Sequence, residues 1–140
     1  MRAVLDTNVV VSALIWGGKP LALLEAAIDG NLLLFTSPAL LAELRDVLGR
    51  PHLAARLERQ HFSIDRAVAH YAGLAITMTP ETIPRVVPAD ADDDHVIAAA
   101  VAAKADLVVT GDGDLLILGS YQGIRILAPA EALTLLGIPG

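Results

Sequence analysis

The sequence predicts an α/β fold, a parallel sheet of four to five strands covered by helices on both faces. Two observations carry this reading. Short apolar runs alternate along the chain with longer segments of helical period, as in successive β-α-β units. Acidic residues stand at or just beyond the ends of several of these elements, and open parallel sheets bind ligands beyond the C-terminal ends of their strands.

Taken in order, Ala3 to Leu5 is a buried strand that delivers Asp6 at its tip. Gly17-Gly18 breaks the next segment, and Pro20 starts a helix through Leu21, Leu24, Ala27 and Ile28 that Gly30 stops. Leu32 to Phe35 is a second buried strand, and Thr36-Ser37-Pro38 supplies a cap with proline at the first helical position. The helix from Pro38 puts Leu40, Leu44, Val47 and Leu48 on one face, bordered by Glu43, and ends at Gly49-Arg50-Pro51.

An alanine-rich helical region follows from His52 to Ala72, then a strand from Ala75 to Met78 and a proline-spaced loop from Pro80 to Pro88. From Asp92 a helix runs through Ala103. Asp106 to Thr110 forms a strand, with a turn at Gly111 to Gly113. Ile124 to Leu127 is the last strand and Pro129 to Leu136 a closing helix.

The 140 residues suit one domain, without repeat or linker. No stretch reaches the roughly 18 uncharged apolar residues of a membrane span. The run VVVSALIW resembles the apolar part of a signal peptide, but Asp6 and Asn8 precede it where positive charge belongs, so a cytoplasmic location is expected. With no cysteine there is no thiolate zinc site and no thiol nucleophile, and any metal must be held by oxygen or imidazole.

The net charge of -6 is unevenly spread. Between Ala89 and Asp114 seven acids (Asp90, Asp92, Asp93, Asp94, Asp106, Asp112, Asp114) face one base, Lys104, a balance of -6 that leaves the rest of the chain neutral. Five of the ten basic residues, Arg45, Arg50, Arg56, Arg59 and Arg66, share one stretch with Asp46, Glu58 and Asp65. Such a stretch is either a solvated helical face or a rim that steers phosphate toward an acidic pocket.

Four acids stand out: Asp6, Glu43, Asp94 and Asp112. Two carboxylates about 4 Å apart repel by roughly 4 kcal/mol at an effective dielectric of about 20. If the fold gathers them, a hard divalent cation with oxygen ligands is the expected companion. Asp6 also suits a turn or helix cap, and Gly-Asp-Gly-Asp around Asp112 is a turn sequence in its own right. Ile97, Ala98 and Val101 follow Asp94 at the offsets of one helical face, which directs Asp94 inward and leaves Asp92 and Asp93 as cap and dipole partners. A calcium loop starting at Asp90 fails, because its sixth position is His95 and its twelfth Val101.

VLDTNVVVSAL, SPALLAEL, DADDDHVIAAAVAAKADLVVTGDGDLL and IRILAPAEAL together resemble the PIN domain, and more narrowly the VapC-like toxin components of toxin-antitoxin pairs, over essentially the full length. The resemblance implies a three-layer α/β/α fold and a ribonuclease dependent on Mg2+ or Mn2+. It further implies a homodimer and a cognate antitoxin whose C-terminal segment occupies the active-site groove. Asp6, Glu43, Asp94 and Asp112 match its four acidic positions, with Asp114 as helper, Asp92 and Thr110 in support, and Asn8 positioning the first loop.

The mechanism expected on these grounds is metal-assisted hydrolysis of RNA. Asp6 and Asp94 hold one ion, Glu43 and Asp112 orient its waters or bind a second, and Arg45 and Arg50 contact the strand. The alternatives are a non-toxin RNA-processing nuclease and a protein-binding module on the same fold. An aspartyl phosphatase would want a second aspartate two positions beyond Asp6, where Asn8 stands.

Overall fold

Residues 1–86 and 91–139 are described by a computed structural model; Pro88, Ala89 and Asp90, named above, lie outside the described residues. The element order is β1 (Arg2–Leu5), α1 (Thr7–Ile15), α2 (Gly18–Ile28), β2 (Leu33–Thr36), α3 (Pro38–Leu48), α4 (Pro51–Arg59), α5 (Ile64–Leu74), β3 (Ala75–Thr77), α6 (Ala91–Ala102), β4 (Leu107–Val109), α7 (Gly113–Leu118), β5 (Ser120–Tyr121), β6 (Ile124–Leu127) and α8 (Pro129–Leu136).

The sheet runs β3-β2-β1-β4-β6-β5, parallel except for β5 against β6. Among the described residues, five parallel strands match the expected four to five, and a sixth strand joins them. The addition is β5, two residues long and joined to β6 by Gln122 and Gly123, both at positive φ (49° and 83°), as a tight hairpin turn requires. So short a strand leaves no apolar run to read.

The central strands β1 and β4 are buried on both faces because successive side chains point to opposite layers. Ala3, Leu5, Leu34, Leu107, Val109 and Leu127 join a core with α1, α2, α3, α5 and α8. Val4, Phe35, Val108, Ile124 and Ile126 join a second core with α6 and Leu115 of α7. The three layers follow from that alternation.

The expected helical region, roughly His52 to Ala72, consists of two helices, α4 and α5. His61 at φ 58° breaks the path, and Ser63 starts α5 by accepting from the Arg66 amide at 3.1 Å. The run that resembled a signal segment lies in α1 and its C-cap, Trp16, and α1 meets α2 at a bend of 95°. Among the described residues no single helix is long and apolar enough to cross a membrane. Asp92 and Asp93 lie within the first turn of α6 rather than capping it.

Chain direction reverses its lateral progress between β1 and β4: β2 and β3 extend the sheet one way, β6 and β5 the other. The C-terminal ends of those two central strands are thus the switch point, where the sheet opens a crevice.

Candidate active site

Asp6 follows β1 and caps α1, its Oδ1 accepting from the Thr7 amide at 2.7 Å. Its backbone N–H donates to the Val109 carbonyl at 2.9 Å, which ties the end of β1 to β4. The second oxygen, Oδ2, accepts from Thr110 Oγ1 at 2.7 Å and from Asn8 Nδ2 at 3.3 Å. Asn8 Oδ1 in turn accepts from the Gly111 amide at 3.2 Å. The carboxylate is therefore held by donors from both central strand ends before any ligand arrives.

Asp112 follows β4 as the cap of α7, accepting from Leu115 N at 3.3 Å, while its own N–H donates to Thr110 Oγ1 at 2.9 Å. Thr110, fully buried, thus links Asp6 to the Asp112 backbone. Glu43 comes from α3, whose start Ser37 fixes by accepting from Leu40 N at 3.2 Å, with Pro38 in the first turn. One cleft of about 190 Å³ is lined by Asp6, Thr7, Asn8, Glu43, Val47, Arg50, Asp92, Asp93 and Asp112. Asp93, Asp112 and Asp114 bring carboxylate oxygens within 4.8 Å of one another.

At that spacing each pair repels by roughly 4 kcal/mol at an effective dielectric of about 20. The starts of α1, α6 and α7, which carry Asp6, Asp93 and Asp112, each return only about 0.3–1 kcal/mol through the helix dipole. Arg50 is the one cation lining the cleft among the described residues, against five carboxylates. The donors are all oxygen, the chemistry that hard divalent ions select. A second observation agrees: the Thr7 hydroxyl, on a buried residue of the same cleft, has no hydrogen-bond partner among the described residues. The residues fit a divalent cation with its waters.

The fold gathers Asp6, Glu43 and Asp112 in this cleft with Asn8, Asp92 and Arg50, and puts Thr110 directly behind Asp6. Asp114 is exposed, with its carboxylate within reach of Asp93 and Asp112. Asp94 does not line the cleft, contrary to expectation. It is buried on another side of α6, where Oδ1 accepts from the Val86 amide at 2.8 Å and Oδ2 lies 3.8 Å from Arg85 Nε. Asp93 faces the acids instead.

The physical reason is that Val96, Ile97, Ala98, Ala99 and Ala100 are all buried, between the sheet and α3, so α6 has no exposed side there to set its phase. Offsets i+3, i+4 and i+7 from Asp93 reach Val96, Ile97 and Ala100, which is as apolar a face as the one that follows Asp94. Arg45 also lies elsewhere, ion-paired with Asp65 in an adjoining groove of about 520 Å³. Arg50 lines both that groove and the acidic cleft.

A family model described as PIN domain matches residues 2–114. Two solved structures share the fold. One is VapBC2 from Rickettsia felis bound to a DNA fragment from their promoter, at 14% identity and TM-score 0.59, covering 90% of this chain and 97% of that one. The other is FitAcB from Neisseria gonorrhoeae, at 20% identity and TM-score 0.56, covering 91% and 98%. None of the curated proteins compared matches the chain.

Proposed function

The chain belongs to the PIN domain family, and from that premise we propose that it is a divalent-metal-dependent endoribonuclease, the toxin of a toxin-antitoxin pair. PIN domains are in general nucleases. The observation that carries the reading is the convergence of Asp6, Glu43, Asp92, Asp93 and Asp112, from four separate elements, on one cleft at the switch point of the sheet.

In this reading Asp93, Asp112 and Asp114, whose carboxylate oxygens lie within 4.8 Å of one another, would hold Mg2+ or Mn2+ together with Asp6, with Glu43 and Asp92 beside them. When bound, the cation lowers the pKa of water and offsets charge that builds on the phosphate in the transition state. The protein's share is orientation. Thr110, Asn8 and the Thr7 amide aim the Asp6 carboxylate, and the Leu115 amide aims Asp112. On this reading the Thr7 hydroxyl and Glu43, both lining the cleft, would hold water there, and Glu43 would accept the proton that the attacking water loses. Arg50, at the junction of cleft and groove, contacts the phosphate backbone of the strand.

RNA as substrate, an antitoxin partner and a homodimer extend the same reading. Its support is the likeness to structures of toxin-antitoxin complexes, together with the acidic surplus of this face, which suits a partner segment carrying positive charge. The test is degradation of RNA with Mn2+, with EDTA, and by Asp6→Asn and Asp93→Asn. Cleavage dependent on metal and lost in both variants supports the assignment; cleavage indifferent to chelator and to both substitutions ends it. Growth arrest on expression, relieved by the product of a neighbouring gene, tests the toxin role.

A further inference from the structure

We infer that Asp94 is a positioning residue, which pins the segment ahead of α6 so that the first turn of that helix presents Asp93 to the cleft. The inference rests on the reading that the cleft holds a divalent cation. Neighbouring residues on a helix are rotated about 100° apart, so Asp93 and Asp94 cannot serve the same side. Asp93 takes the cleft, with its carboxylate near those of Asp112 and Asp114.

Asp94 is as buried, at 2% exposure, yet turned toward residues 85 and 86. A buried carboxylate needs donors, and the Val86 amide supplies one at 2.8 Å. Arg85 adds its positive charge from a side chain that is largely in solvent. Val86 and Met78 pack against the core that α6 shares with β1 and β4. The stretch after β3 is therefore fastened to α6 twice, by apolar contact and by the Asp94 carboxylate. Without that fastening the first turn of α6, which carries Asp92 and Asp93, loses its lateral support.

The experiment measures Mn2+ affinity of the full chain by calorimetry, and hydrogen exchange at the Val86 amide, for wild type, Asp93→Asn, Asp94→Asn and Asp94→Ala. Asparagine keeps an acceptor for the Val86 N–H, so Asp94→Asn is expected to stay within about three-fold of wild-type affinity with that amide still protected. Asp94→Ala is expected to lose the protection and about ten-fold in affinity, the usual scale for a residue that orients a ligand. Asp93→Asn loses on the order of a hundred-fold or more while Val86 stays protected.

Asp94→Asn that weakens Mn2+ binding as much as Asp93→Asn would make Asp94 a ligand and overturn the inference. So would Asp94→Ala with unchanged exchange at Val86. Wild type that takes up no Mn2+ overturns it together with the metal reading. Neither readout involves RNA, so a chain that behaves as expected here but cuts no RNA loses only the nuclease assignment.

Discussion

The hydroxyl of Thr110 donates to the carboxylate of Asp6 at 2.7 Å, joining positions 104 residues apart at the tips of the two central strands. The same oxygen accepts from the Asp112 amide, so one buried side chain sets the places of two acids. β1 and β4 are neighbours in register Leu5 to Val109, so the next residue of β1, Asp6, reaches the cleft and that of β4, Thr110, stands behind it.

Thr110→Val keeps the shape and removes that link. Mn2+ affinity is expected to fall about 10- to 100-fold, with RNA cleavage falling alongside it, while stability drops by only about 1–2 kcal/mol. Thr110→Ser restores most of both. Calorimetric titration beside urea denaturation separates the two effects; a valine variant with wild-type affinity would deny the role.

Adding Mn2+ stabilises the wild type, because the folded cleft binds the ion and the unfolded chain does not present it. At about 100 times the dissociation constant the gain is about 2.7 kcal/mol. In EDTA, Asp112→Asn is expected to unfold no earlier than wild type despite its weaker cap, since it relieves like-charge repulsion, and the manganese gain shrinks or disappears. Thermal unfolding of both proteins with and without the ion checks this.

Arg50→Ala is expected to raise KM for RNA and to leave Mn2+ binding unchanged or tighter, since a cation has been taken from the cleft. One lost phosphate contact lowers the salt slope for a single strand by about 0.7. Arg45→Ala, whose exposed ion pair with Asp65 is worth about 0–1 kcal/mol, is expected to do less. Binding of RNA across a salt series distinguishes the two arginines.

Tyr71 is buried and its hydroxyl has no hydrogen-bond partner among the described residues. Burial pushes its phenol up from its ordinary value. The unfolded chain releases this proton near about pH 10 while the folded chain keeps it, so stability is lost as pH rises beyond that point. Tyr71→Phe flattens this alkaline loss and leaves stability at neutral pH equal or up to about 1 kcal/mol higher. Urea midpoints at neutral and alkaline pH test it.

Where local chemistry is decisive, the sequence alone determined the outcome. The strand Ile124–Leu127 and the helix Pro129–Leu136 have the bounds expected of them. Ser37-Pro38 starts α3 as cap and first helical residue, and alternation of strands with helices yields the layered sheet. Asp6, Glu43 and Asp112 reach one cleft because elements of a parallel sheet deliver their following residues to the same edge. Tertiary structure decided the rest. The six-residue α7 begins at Gly113, the last residue of the expected turn, and the two-residue β5 exists only by pairing with β6. Arg45 could have faced the cleft but found Asp65. Above all, a helix whose residues Val96 to Ala100 are all buried has no amphipathic face there to declare its rotation, so only packing against the sheet and α3 could choose Asp93 over Asp94 for the cleft.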